Sequence, residues 1–191
     1  LTVEATTKQL LQDMVTRGEL DHLPIERVTE EWRKLLLKAE KPSIGLQLMR
    51  ELGIIERYFP ELFATIGVEQ DPEWHPEGDV WVHTLLAVDR AAQITQHASR
   101  NMYQETFSQL ERLQVMMGTL CHDFGKPSTT ELAPKQGVMR IRSLGHEAAG
   151  VEPATTFMAR FSFGADVAQA AVIAAREHLK PGMIRLQMLK E

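Results

Sequence analysis

The sequence predicts a mainly α protein, a helical bundle with one short β-hairpin. Apolar residues recur at helical spacing in most segments, and only one short segment alternates apolar and polar residues as a strand does. Internal repeats and low-complexity tracts are absent. With 191 residues, of which 43% are hydrophobic and 25% charged, the chain is long enough for one sizeable core or two small ones.

Amphipathic helices are predicted over residues 4–17, 26–38 and 42–57 in the first third of the chain. Pro42 suits a first helical turn and Gly53 separates two helices, so "KPSIGLQLMRELGIIERYFPEL" predicts a helical hairpin. The stretch "VEQDPEWHPEGD" that follows is dense in Pro, Gly and charge, which predicts a loop between two parts. We therefore divide the chain into a helical neck over residues 1–79 and a second domain over residues 80–191.

The second part begins with a helix that Asp79 can cap, "VWVHTLLAVDRAAQIT". Further helices are predicted over 107–123 and 165–179, the last apolar on almost all sides and therefore central. Between these two, "KQGVMRIRS" combines a Gly turn with alternation over 138–142, which predicts a hairpin strand.

Charge and cysteine content limit the functional classes. The net charge is −5, and residues 1–79 hold 9 Lys and Arg against 16 Asp and Glu, whereas residues 80–191 hold 12 against 10. A protein that bound duplex nucleic acid over its whole surface would be basic, so any phosphate contact is expected to be local. The single cysteine cannot form an internal disulfide, and no apolar run approaches the roughly 18 residues of a membrane span. We expect a cytoplasmic protein with no membrane partner.

Four histidines fall inside or at the ends of predicted core helices: His83, His122, His146 and His178. Asp123 follows one of them directly. Neutral imidazole and carboxylate are suitable ligands for zinc, manganese, iron or nickel, and carboxylates also suit magnesium. A single buried histidine is more often hydrogen-bonded in a core, but four together with one aspartate favour a metal site.

Small residues near two of these histidines predict close helix packing. Ala171, Ala174 and Ala175 share the helical face of His178, and Gly118 lies one turn before His122. Glycine in mid-helix costs about 1 kcal/mol relative to alanine, which a close neighbouring helix would explain.

The segment "TLCHDFGKP" predicts that the helix ends at the candidate site. Adjacent helical side chains diverge by about 100°, so His122 and Asp123 can share one ion only near a helix end. Gly125 and Pro127 supply that end. Cys121 belongs to the apolar run and is predicted to be a small core residue rather than a nucleophile.

Taken together, these motifs resemble the HD superfamily of metal-dependent phosphohydrolases, whose order is H…HD…H…H…D. His83, "CHDFGKP", "GHEAAG" and "REHLKP" match its first four elements. "WHPEGDVWVHTLL" with the upstream "ERVTEEWRKLLL" is similar to the neck and HD domain of bacterial tRNA nucleotidyltransferases, the CCA-adding enzyme and poly(A) polymerase family. The resemblance spans about residues 20 to 182.

The resemblance implies a divalent metal ion, with Ni, Mn, Mg, Co, Fe and Zn not distinguished. One ion would lie between His83, His122 and Asp123, and Asp123 would bridge to His146 and His178, which complete a second site or contact phosphate. The resemblance to phosphohydrolases gives further candidates: Asp123, Lys126 and Glu147 as catalytic residues, and Lys126, Arg140 and Arg142 as substrate-binding residues. For all of these except Asp123 the alternative is a solvated face.

The family's function implies hydrolysis of phosphomonoesters or 2',3'-cyclic phosphates in a protein of tRNA 3'-end processing or repair. Its partners would be a nucleotide or phosphate-ester substrate and tRNA; the oligomeric state is not predicted. The alternative is a non-catalytic RNA-support or nucleotide-binding module. The polymerase head has no match here, so no nucleotide addition is expected, and no Asp follows His178, so we expect a domain truncated at its C-terminal end.

Overall fold

The computed structural model describes residues 3–97, apart from the side chain of His97, and residues 106–181. Within these ranges the chain is mainly α with one antiparallel hairpin, which confirms the predicted fold class. The elements are Ala5–Thr16 (α1), Ile25–Lys38 (α2), Pro42–Glu51 (α3), Ile54–Tyr58 (α4), Pro60–Phe63 (α5), Val80–His97 (α6), Gln109–Cys121 (α7), Lys126–Thr129 (α8), Thr130–Lys135 (β1), Val138–Ser143 (β2), His146–Ala149 (α9), Val151–Met158 (α10) and Ala165–Glu177 (α11).

The helix boundaries follow from local capping. Gly53 adopts φ +79°, a left-handed conformation that separates α3 from α4, as the helical hairpin predicted. Ser108 and Glu111 form a reciprocal capping box, so α7 begins at Gln109 rather than at residue 107. Asp79 accepts a hydrogen bond from the Val82 backbone N–H and caps α6, as expected.

Helix α7 lies at the centre and packs against α11, α6 and α2. A Cβ atom on Gly118 would lie 3.0 Å from the Cβ of Ala174, so these two residues set the close approach of α7 and α11. This confirms the packing predicted from the small residues. Cys121 is fully buried in the same helix, as predicted for a core residue.

One hydrophobic core joins helices from both sides of residue 79. It includes Trp32 and Leu36 of α2, Leu46 of α3 and Trp81 of α6. Aromatic rings of Trp32, Phe59, Phe157 and Phe161 meet with centroids 4.8 to 5.9 Å apart, and Phe124 extends this cluster to the end of α7. The division into neck and second domain stays a prediction.

The hairpin pairs Thr130 with Ser143 and Lys135 with Val138, around the turn that the sequence predicted. Pro153 is the third residue of α10, in its first turn, where its missing N–H breaks no helical hydrogen bond. None of the helices in the described part of the chain has the length and hydropathy needed to span a bilayer. Residues 182–191, on which the expected truncation depends, lie outside the described ranges.

Candidate metal centre

The five residues predicted as metal ligands meet around the buried carboxylate of Asp123, which is 2% exposed. They come from four helix ends: His83 lies in the first turn of α6, His122 follows α7, His146 begins α9 and His178 follows α11. The Nε2 atoms of the histidines lie 3.1 to 3.8 Å from a carboxylate oxygen of Asp123. Their roles as ligands stay a prediction, but the fold brings all five together.

The end of α7 places two of these side chains. The Phe124 N–H donates to the Cys121 carbonyl and the Lys126 N–H to the Asp123 carbonyl, so the backbone turns at once after the helix. His122 and Asp123 therefore point to one centre, although neighbours inside a regular helix would diverge.

A hydrogen bond from Nδ1 fixes the orientation of each of the four imidazole rings. Carbonyl and ionised carboxylate oxygens only accept hydrogen bonds, so Nδ1 carries the proton in each contact and Nε2 keeps a lone pair. The acceptors are Thr119 O for His122 (2.7 Å), Ser143 O for His146 (2.6 Å), Ala175 O for His178 (3.1 Å) and Glu77 Oε1 for His83 (2.6 Å).

The Nε2 atoms then face each other in two pairs. The distance is 3.3 Å between His83 and His122 and 3.0 Å between His146 and His178. Two lone pairs at this distance repel unless a proton or a metal cation lies between them. This arrangement fits divalent metal ions, which histidines bind through neutral imidazole nitrogens.

The Asp123 carboxylate supports the same conclusion. Neither of its oxygens accepts a well-directed hydrogen bond, although both are buried. Lys126 Nζ forms an ion pair with Oδ2 at 2.8 Å. Burial by itself raises the pKa of the Asp123 carboxyl, but His122, when a proton occupies its Nε2 in place of a metal ion, and the Lys126 ammonium outweigh this effect and hold the pKa far below its usual value. A carboxylate that favours its ionised form and whose buried oxygens lack well-directed hydrogen bonds is suited to a cation.

The donor atoms form two triads that share Asp123: His83, His122 and Asp123, and Asp123, His146 and His178. Within each triad they lie within 4.8 Å of one another. A third group of the same compactness consists of His75, Glu77 and His83. Among the described residues, the structure thus offers the shared-carboxylate arrangement that the family resemblance implied.

Two of the histidines show a lowered pKa. Burial disfavours the imidazolium form of His83, and Glu77 opposes this effect only in part. Burial likewise lowers the pKa of His178, and the nearby His122 adds to the effect. Both rings therefore stay neutral more readily than a histidine in water, which favours metal binding.

The predicted phosphate contacts occupy different environments. Lys126 is 8% exposed and its Nζ donates to Gln70 Oε1 at 2.7 Å in addition to pairing with Asp123. Arg140 forms a two-pronged ion pair with Asp71 and contacts Glu73. Both cations are thus engaged within the chain.

Arg142 and Glu147 are less constrained. Within residues 3–97 and 106–181, the Arg142 guanidinium makes one long hydrogen bond, 3.4 Å to the Pro134 carbonyl. Glu147 lies 3.6 Å from His146 Nδ1. The proposed substrate and catalytic roles stay predictions for Lys126, Arg140, Arg142 and Glu147.

Sequence reasoning predicted the loop over residues 68–79 but missed its contacts with the candidate site. Gln70 bonds Lys126, Asp71 pairs with Arg140, and Glu77 accepts a hydrogen bond from His83. The signal was present in "WHPEGD", where a carboxylate and an imidazole precede the first cluster histidine by a few residues. A loop has no periodicity, however, and the direction of its side chains cannot be inferred from spacing.

A groove of about 310 Å³ gives access to the cluster. It lies between α6, α7 and α11, and Ala87, Gly118, His122, Ala174 and His178 contribute to its walls.

Fold and cluster together define a mainly helical protein with a candidate divalent-metal centre.

Residues 1–66 match a family described as "Probable RNA and SrmB- binding site of polymerase A". The multifunctional CCA protein of Paraburkholderia phytofirmans is 36% identical over 177 residues, which cover 93% of this chain and 38% of that protein. That of Verminephrobacter eiseniae is 37% identical over 178 residues, which cover 93% of this chain and 38% of its own.

The multifunctional CCA protein of Pasteurella multocida is 34% identical over 160 residues, covering 84% of this chain and 34% of that protein. The chain therefore spans little more than a third of the length of these relatives. Its sequence is similar to a part of multifunctional CCA proteins, which supports the predicted resemblance to CCA-adding enzymes. The HD portion of the resemblance stays a prediction.

Proposed function

We propose that this chain is a divalent-metal-dependent phosphohydrolase module that cleaves phosphomonoesters or 2',3'-cyclic phosphates. One observation carries the proposal. The Nε2 atoms of the four histidines form two pairs, with 3.3 and 3.0 Å between the nitrogens of each pair, and both pairs surround one buried carboxylate whose oxygens lack well-directed hydrogen bonds. Such a donor set is unfavourable without a cation and favourable with one.

In this proposal Asp123 holds both triads together. His83 and His122 hold one ion with it, and His146 and His178 hold a second. A divalent ion bound there supplies a water of lowered pKa as nucleophile and offsets phosphate charge. Lys126, 2.8 Å from Asp123 Oδ2, keeps this carboxylate ionised and fixed in direction.

The remaining residues act on the substrate side. Arg142 is the candidate to bind a phosphate oxygen because its guanidinium is not committed to a carboxylate in the described structure. Glu147, 35% exposed and 3.6 Å from His146 Nδ1, is the candidate to accept a proton from an attacking water. Arg140 acts through Asp71 and orders the loop over residues 68–79 instead of contacting phosphate.

The relatives support the proposed substrate class. They are named multifunctional CCA proteins, and the N-terminal residues match a family described by RNA binding. We therefore propose that the chain acts within a tRNA nucleotidyltransferase-like protein, on phosphate or cyclic phosphate at the 3' end of tRNA or on related nucleotides. The same N-terminal match favours one alternative, a non-catalytic module that supports RNA binding.

The two functions are separated by hydrolysis assays on the purified chain. We expect release of p-nitrophenol from p-nitrophenyl phosphate, or opening of 2',3'-cyclic AMP, with Ni²⁺, Mn²⁺ or Mg²⁺ and not with excess chelator. His122→Ala and Asp123→Ala should abolish it, whereas His22→Ala, an exposed histidine outside the cluster, should not. Absence of hydrolysis with every ion, together with retained RNA binding, would favour the support module.

A further inference from the structure

One of the four cluster histidines is held differently from the other three. His122, His146 and His178 donate Nδ1–H to backbone carbonyls, whereas His83 donates to the carboxylate of Glu77 at 2.6 Å. A carboxylate carries a full negative charge and makes a stronger, charge-assisted hydrogen bond than a neutral carbonyl.

Glu77 is itself held in place from a second side. His75 Nδ1 lies 3.0 Å from the same oxygen, Oε1, and the His75 and His83 rings meet edge to face with centroids 4.8 Å apart. The Glu77 side chain is only 21% exposed, so water competes weakly for this oxygen.

The loop that carries Glu77 is fastened to the cluster at several points. Gln70 accepts a hydrogen bond from Lys126 and donates to the Gly78 carbonyl, and the Arg140–Asp71 pair holds the loop to the hairpin. Glu77 is thus fixed relative to Asp123 by contacts independent of His83.

We propose that Glu77 is a positioning residue of the candidate metal centre, which keeps the His83 ring oriented with Nε2 toward Asp123 and increases its basicity as a ligand. A carboxylate that accepts the second N–H of a metal-binding histidine has both effects. His75 positions Glu77 in turn. This inference rests on the proposed function, because it requires a cation at His83.

His75, Glu77 and His83 lie close enough together to hold an ion themselves, but an ion there conflicts with the hydrogen bond from His83 to Glu77. An ion between His75, Glu77 and His83 would need a lone pair on His83 Nδ1, the nitrogen that donates to Glu77. Binding at both ring nitrogens would also require the imidazole to lose its remaining proton. The triad therefore supports a ligand instead of forming a third centre.

The test is metal affinity of the whole chain, measured by isothermal titration with Ni²⁺ and, independently, by the visible absorption of bound Co²⁺. Glu77→Ala should weaken binding by about 10- to 100-fold. Glu77→Gln keeps an oxygen acceptor without the charge, so it should restore part of this loss and shift the Co²⁺ spectrum. Glu73→Gln, a carboxylate of the same loop that pairs with Arg140, is the control and should bind as the wild type does.

Each outcome decides a different claim. Wild-type affinity in both Glu77 variants would overturn the positioning role and leave the proposed function standing. Wild-type affinity in Glu77→Gln alone would overturn the role of the charge, even if Glu77→Ala did not fold. A wild-type chain that binds neither Ni²⁺ nor Co²⁺ would overturn the proposed function itself and this inference with it.

Discussion

The backbone of Gly125 touches the backbone of His146 so closely that no side chain fits between them. A Cβ atom on Gly125 would lie 1.9 Å from the His146 carbonyl oxygen and 2.6 Å from the Gly150 nitrogen. The segment after α7, which carries Asp123, therefore abuts α9, which carries His146. This contact sets the position of His146 relative to Asp123.

Gly125→Ala should therefore destabilise the fold and separate His146 from Asp123. Both neighbouring atoms belong to backbone and cannot move aside as a flexible side chain would, so we expect a loss of about 3 kcal/mol or more in the free energy of unfolding. Urea denaturation measures this loss. At Gly164 an added methyl group meets no atom within 4 Å, and Gly164→Ala should change stability little. Equal stability of the two variants would contradict the contact.

Lys126→Met should destabilise the metal-free protein, and a divalent ion should restore part of the loss. Asp123 would remain buried without the ammonium that pairs with it, and breaking a buried ion pair costs roughly 3 to 5 kcal/mol. A bound cation replaces the missing charge. Thermal unfolding with and without Ni²⁺ tests both parts.

The matched control is Lys34→Met, which removes an exposed lysine paired with Glu31 on α2. Exposed pairs contribute about 0 to 1 kcal/mol, so this variant should unfold near the wild-type temperature and respond to Ni²⁺ as the wild type does. A Lys126→Met protein as stable as Lys34→Met would show that Asp123 does not depend on Lys126.

Acid should weaken the metal-free fold over the pH range in which its buried histidines resist protonation. The pKa values of His83 and His178 are lowered by burial, so below about pH 6.5 the unfolded chain binds protons that the folded chain does not. Their contribution to stability is complete above the unfolded pKa and is lost as pH falls through the folded pKa.

The measurement is the melting temperature between pH 7.5 and 5. In His178→Gln the melting temperature should fall less steeply as the pH is lowered. The stabilisation by Ni²⁺ should also become smaller at low pH, because protons compete with the ion for Nε2. A melting temperature that rises as pH falls from 7 to 5.5 would contradict this sign.

Arg140 and Arg142 should behave differently, although they lie two residues apart on the hairpin. Arg142→Ala should raise KM for a phosphate ester by roughly tenfold, the loss expected for one hydrogen bond to a charged group. Arg140→Ala should act through the loop, so Asp71→Ala should reproduce its effect and the double variant should add little. Additive effects of Arg140 and Asp71 would show that Arg140 contacts substrate directly.

The sequence was most informative where helical periodicity and residue size fix the packing. The spacing of Ala171, Ala174 and Ala175 and the costly Gly118 each predicted a close neighbouring helix, and the structure shows that α7 and α11 are these neighbours. The predicted end of α7 lets His122 and Asp123 face one centre. It was less informative where the chain is irregular. The hydrogen bonds that Lys126 donates to Gln70 and His83 donates to Glu77 depend on a loop whose path no periodicity specifies.

The charge pattern was similarly incomplete. Lys126 and Arg140 are predicted phosphate contacts because they are cations in a chain that resembles phosphohydrolases. Their partners, Gln70 and Asp71, lie 56 and 69 residues away along the chain. Only tertiary structure reveals that both side chains are already engaged.

Anomalous X-ray diffraction at the nickel edge, from crystals of this chain grown with Ni²⁺, tests the central claim most directly. The account predicts a peak about 2.1 Å, a typical metal–imidazole distance, from the Nε2 atoms of His83 and His122, of His146 and His178, or of both pairs, with Asp123 as a further ligand. A cluster without any anomalous peak, in crystals that contain Ni²⁺ at other positions, would contradict it.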